Sequence, residues 1–174
     1  VLSGAWDALI ARRAALAIAQ EGLAPLVGIV TRPLGRVAMA FVCAPGHALA
    51  RAREPLRMEQ IERCRRVATA DTSRSLPPRS SGMLGADDTL TVPNMQSKIE
   101  AHIAGLGVGF VPRALAADAI RRGRLVEKRV VGHERGSSLC AAWRPREAGP
   151  ALDWFLGRLN DAAVRRRLTG APPD

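Results

Sequence analysis

The chain has 174 residues, 47% of them hydrophobic, which suffices to bury a core as one domain or as two small lobes. Its formal charge is +10, and only two of the 26 basic residues, Lys98 and Lys128, are lysines. The arginines are scattered with few aromatics between them, which argues against a single-strand stacking platform. They read more simply as a codon bias towards Arg, with a basic face supporting a DNA-bound assembly as the other reading.

No apolar run approaches the roughly 18 residues of a membrane span, and the first residues lack a charged-then-apolar signal pattern. Cys43, Cys64 and Cys140 form no Cys-x-x-Cys or Cys/His ligand spacing. They are expected to be packed thiols in a reducing, cytoplasmic setting.

In chain order, Leu2, Trp6, Leu9 and Ile10 have helical spacing over residues 1–11, and residues 16–19 read as a short strand. Gln20, Glu21 and Gly22 leave its carboxyl end. Residues 28–34 are β-rich, residues 37–44 form a continuous apolar strand, and Pro45 and Gly46 break it. His47 has no Cys, Ser or carboxylate beside it in a triad or metal arrangement, so a structural ring satisfied by nearby backbone is expected. His102 and His133 offer no more.

Residues 58–64 read as a helix and 65–70 as a strand entering a second lobe. The polar stretch DTSRSLPPRSSG follows, carrying Thr72, Ser73, Ser75, Ser80 and Ser81 with Arg74 and Arg79. Such a loop at a strand's carboxyl end can hold a carboxylate or phosphate through charge-assisted bonds. A solvent loop of Asx and ST turns is the competing reading.

The run TLTVPNMQSKIEAHIAGLGVGFVPRAL, residues 89–115, predicts strand, helix, glycine turn, strand and helix. Met95, Ile99, Ile103 and Leu106 share one helical stripe, Gly105 and Gly107 stop that helix, and Pro112 opens the next with Leu115 and Ile120 inward. A helix between two such strands is a βαβ crossover, implying a parallel pair. The N–H groups opening its helix, around Pro93, Asn94 and Met95, favour an anion or carboxylate. Gly105, Gly107 and Gly109 are not a dinucleotide fingerprint, because they follow a helix and precede a strand. A return strand is expected near residues 125–131, a strand at 139–144, and a helix at 150–159 with Leu152, Phe155, Leu156 and Leu159 inward. The arginine-rich end from Arg165 is expected to be disordered.

The run IEAHIAGLGVGFVPRALA resembles a signature of the effector-binding domain of LysR-type transcriptional regulators. RRAALAI, APGHALA, GRLVEKRV and AAWRPREAGPALDWFLGRL resemble further segments of that family in its own order, to about Leu159. Ala15, Ala19 and Ala48 depart from the family's usual Asp, Gly and Pro.

The resemblance implies an α/β, two-lobed type II periplasmic-binding-protein-like fold, its mixed sheets joined by two crossing strands. Lobe I would be residues 1–37 and 128–168, incomplete at its N-terminal side, lobe II residues 38–127, and 169–174 a flexible tail. It implies a small-molecule effector held between the lobes, with Gln20, Thr72, Ser73, Arg74, Ser75, Pro93, Asn94 and Met95 as contacts, and the arginines favour an anionic one. Homodimers or tetramers through these domains, and promoter DNA read by an N-terminal winged helix-turn-helix not contained in the 174 residues, are the other implied partners. No cofactor, metal or catalytic group is expected: no paired acid and base, nucleophile with partner, or ligand set is evident. The alternative on the same fold is a solute-binding protein of a transport system.

Overall fold

The computed structural model describes residues 3–22, 27–76, 88–132, 136–147 and 149–170. Arg79, Ser80, Ser81, His133 and residues 171–174 lie outside them. The chain forms two compact units, one of Val1–Ala38, Asp71–Arg79 and Gly136–Asp174, the other of Met39–Ala70 and Ser80–Arg135.

The first unit carries helix α1 (Gly4–Ile10) and strands β1 (Leu16–Gln20) and β2 (Val30–Val37) from the front of the chain. Near the end of the chain, β8 (Ser137–Trp143), α5 (Pro150–Arg158) and α6 (Ala162–Thr169) complete it. The sheet order is β1-β8-β2, both pairings antiparallel, with Leu16 opposite Trp143 and Val37 opposite Ser137.

Period-2 alternation divides the residues between its faces. Ala17, Ala19, Cys140 and Ala142 pack under Trp6 and Leu9 of α1, while Leu34, Ala141 and Leu159 form a second cluster on the other side with Leu139, Trp143 and Val164. Small side chains on the first face let the Trp6 ring sit close to the strands.

Two expectations change here. The arginine-rich end is helical through Thr169, because Asp161 caps α6 by accepting the Ala163 N–H at 2.8 Å and Gly170 closes it with a left-handed φ of 66°. Phe155 is 53% exposed and stacks edge-on against Trp154, leaving Leu152 as the buried residue of α5, with Leu159 buried at its C-cap.

The second unit contains β3 (Met39–Cys43), α2 (Met58–Glu62), β4 (Arg66–Thr69), β5 (Thr89–Val92), α3 (Met95–Ile103), β6 (Gly109–Pro112), α4 (Arg113–Arg121) and β7 (Val126–Lys128). The expected strand over 37–44 is divided at Ala38, where the chain passes from one unit to the other. β3 lies between antiparallel β6 and β7, and β4 pairs in parallel with β5. A parallel bridge from Arg66 to Val108 joins β4 to the segment entering β6, with Val67 N–H donating to Val108 O at 3.1 Å and Val108 N–H to Arg65 O at 2.9 Å. The strands flanking α3 are therefore not direct partners, since β4 stands between them.

One apolar cluster, with Ala40, Val42, Ile99, Val111, Ala116, Ala119 and Leu125, packs α3 and α4 on the sheet. Another, with Phe41, Cys43, Leu49, Leu56, Ile61 and Val108, covers the other face. Met95, Ile99 and Ile103 do share the inward stripe of α3, but Leu106 is 49% exposed beyond its end, after Gly105 turns the chain at φ 73°. On α4 the buried residues are Ala116 and Ala119, while Leu115 is exposed. His47 is structural: its Nδ1 accepts the Leu49 N–H at 3.1 Å and caps a short turn. Burial pushes the Cys43 thiol up to about 11, the behaviour of a packed side chain rather than a nucleophile.

Candidate functional site

The loop leaving β4 was expected to belong with the second lobe, but its described residues, Asp71 to Leu76, hydrogen-bond to α1 of the first unit. Asp71 accepts the N–H groups of Ser3, Gly4 and Ser73, each at 3.1 Å, so its carboxylate meets the orphan donors that open α1. Asp7, 1% exposed, reaches back from α1 and accepts Arg74 N–H at 3.2 Å and Ser75 N–H at 3.0 Å, with the Arg13 guanidinium on the same carboxylate. Burial alone would raise its pKa. The donors from Arg74 and Ser75 and the Arg13 charge together outweigh that and hold the carboxyl below its usual range.

Ser73 Oγ donates to Leu76 O and accepts Leu76 N–H, both at 3.0 Å, so this hydroxyl shapes the loop. Thr72 and Arg74 are exposed, and among the described residues the Arg74 guanidinium makes no hydrogen bond. Gln20 ends β1 with its carbonyl accepting Trp6 Nε1–H at 3.1 Å and its side chain exposed. Trp6 and Asp7, adjacent on α1, thus hold the end of β1 and the loop respectively. Asp7→Ala is expected to release the loop: amide exchange at Arg74 and Ser75 should accelerate while the β1–β8 amides stay protected. Equal protection in the variant would show that Asp7 does not anchor it.

Pro93, Asn94 and Met95 lie in the second unit at the start of α3. Asn94 Oδ1 accepts Ser97 N–H at 2.9 Å, which leaves the N–H groups of Met95 and Gln96 without an intrahelical acceptor. The Met95 side chain packs against the α3–α4 cluster, so its available polar group is its backbone N–H.

Asp7 and Lys98 were not anticipated, and Asp71 only as the start of the polar stretch; His102, read as offering no catalytic role, is a buried ring bonded to Gly107 O. Asp7 could have been noticed as an acid set among the apolar residues of α1, and Lys98 and His102 as polar residues one helical turn apart beside an apolar stripe. Both are buried, and burial lowers the Lys98 pKa to about 8. Among the described residues no cluster of His, Cys, Asp or Glu could hold a metal ion, and no helix is long and apolar enough to cross a membrane.

Two α/β units, the first built on an antiparallel sheet and the second combining antiparallel and parallel pairings, define a small-molecule-binding domain of the type II periplasmic-binding-like class. The family model for the LysR substrate-binding domain matches residues 2–164, and the chain belongs to that family. It is 34% identical over 154 residues to the HTH-type transcriptional activator AllS of Salmonella paratyphi A, covering 88% of this chain and 50% of that protein. The chain thus spans about half the length of the curated relatives it matches. In structure it is similar to the regulatory domain of MetR, a LysR family regulator from Neisseria meningitidis, with TM-score 0.69, 19% identity, and coverage of 94% of this chain and 76% of that one. It is also similar to the effector-binding domain of QuiR in complex with shikimate, with TM-score 0.66, 13% identity, and coverage of 93% and 77%.

Proposed function

We propose that this chain is the effector-sensing part of a LysR-type DNA-binding transcriptional regulator, and that it binds a small anionic metabolite in the cytoplasm. The observation that carries the reading is the family match across nearly all of the chain together with its likeness to a transcriptional activator. The anionic preference is supported by the Arg74 guanidinium on its anchored loop and by the open N–H groups at the start of α3. The QuiR neighbour was captured with shikimate, itself a carboxylate. Gln20, Thr72, Ser73, Arg74 and Ser75, and likewise Pro93, Asn94 and Met95, are the proposed effector contacts.

An effector with unequal affinity for two arrangements of the domain would shift their populations. Homodimers or tetramers would transmit that shift to DNA-binding domains on promoter DNA.

A thermal-shift screen of metabolite anions, followed by calorimetry on the best stabiliser, tests the reading. Arg74→Ala should weaken that ligand by about tenfold or more without lowering the melting temperature of the free domain. Unchanged affinity removes the loop from the site, and conversion of the ligand to a product would overturn the assignment as a sensor.

A further inference from the structure

A second concave site lies entirely within the second unit, on residues not used above. It is a depression of about 270 Å³ lined by Glu54, Arg113, Glu127, Lys128 and Arg129. Its walls come from the segment before α2, from the first residue of α4, and from the end of β7.

The two carboxylates are already engaged. Glu54 accepts Arg129 N–H at 2.7 Å and Arg129 Nε at 3.4 Å, with Lys128 Nζ 3.9 Å away. The Arg129 N–H and then the neighbouring cations hold its carboxyl below the ordinary value. Glu127 takes Arg113 Nε at 3.1 and 3.2 Å. Lys128 Nζ is largely consumed by the carbonyls of Ala50 at 3.3 Å and Ala52 at 2.8 Å.

The donors left over are the terminal nitrogens of Arg113 and Arg129, which make no hydrogen bond among the described residues. Arg113 also opens the nine-residue helix α4, whose N-cap, Pro112, supplies no side-chain cap. The positive end of that helix therefore begins at a lining residue. Three bases against two acids leave the walls one positive charge in excess.

We infer that this depression is a second anion site, independent of the Arg74 loop, and that it takes a singly charged carboxylate between the free guanidinium ends of Arg113 and Arg129. Glu54 and Glu127 set the charge limit. Each carboxylate fixes its arginine through Nε and so presents the remaining N–H groups outward, but both repel a second negative charge on the ligand. A dianionic phosphate is thereby disfavoured relative to a carboxylate.

Titration of the whole 174-residue chain with acetate, and separately with inorganic phosphate at matched ionic strength, followed at the arginine Nε–H resonances, tests this. Acetate should shift the Arg113 and Arg129 signals saturably and more tightly than phosphate. Arg113→Gln with Arg129→Gln should weaken acetate by about tenfold or more at the neighbouring backbone amides, while Arg74→Ala leaves it unchanged. A shift that grows linearly without saturating overturns the site, as does saturable acetate binding that survives the double substitution. Tighter binding of phosphate overturns the charge assignment. Failure of the effector reading at Arg74 would leave these outcomes untouched.

Discussion

Acidification from pH 6.5 to about 4 is expected to cost the second unit about 3 kcal/mol of folding free energy through His102 alone. The ring is fully buried in the last turn of α3, with Nδ1–H donating to Gly107 O at 3.0 Å. Its Nε2 has no hydrogen-bond partner among the described residues. Burial is the main cause that lowers the pKa from 6.5 to about 4; the Gly107 hydrogen bond opposes it and the Lys98 charge adds to it.

The unfolded chain takes up this proton near pH 6.5, whereas the folded chain refuses it until about 4. For a base with a depressed folded pKa, the contribution is complete above the unfolded value and is lost as the pH falls between the two. All three tryptophans, Trp6, Trp143 and Trp154, belong to the first unit, so their fluorescence does not report on this transition. Amide exchange at β3 and β6 in urea, at pH 7 and at pH 4.5, reads it directly. His102→Gln should flatten the pH dependence. A variant as acid-sensitive as the parent would assign the loss to other groups.

Which parts of this fold were legible in the sequence follows from the range of the interactions that make them. Residues 89–111 read correctly as strand, helix and strand because Pro93, the apolar spacing and Gly105 act within a few residues of one another. The insertion of β4 beside the segment entering β6 was not legible. It depends on backbone hydrogen bonds between Arg65 or Val67 and Val108, some forty residues apart, to which side-chain pattern is indifferent. Leu106 and Leu115 match a helical period, yet Leu106 follows the turn at Gly105 that ends α3 and Leu115 is exposed on α4, and a period cannot say where a helix stops or which of its faces is covered.

At the candidate site the polar composition of the Asp71 loop was visible. Its attachment was not, because Asp7 lies more than sixty residues away and accepts backbone N–H groups that any sequence would offer. The arginine-rich end misled for a related reason: charge suggested a solvated tail, while Asp161 and Gly170, a cap at each end, specify a helix.

Gly107→Ala should destabilise the second unit by about 3 kcal/mol, toward the upper end for overpacking, because its new methyl meets backbone. A Cβ there would stand 2.7 Å from Arg65 O and 3.0 Å from Val67 Cγ2. Arg65 O cannot retreat cheaply, since it accepts Val108 N–H at 2.9 Å in the bridge that ties β4 to β6. Gly107 O cannot swing away either without giving up the proton of His102.

The close approach and the buried imidazole are thus one arrangement, and the two substitutions should couple. Gly107→Ala in a His102→Gln background is expected to cost less than in the parent, because one constraint on the turn has been removed. Gly46→Ala serves as the control, with nothing within 4 Å of its added methyl. Denaturation followed by amide exchange would separate the cases. A Gly107→Ala variant as stable as Gly46→Ala would mean that the β4–β6 junction yields at little cost, and that the contact with Arg65 does not fix the position of these strands.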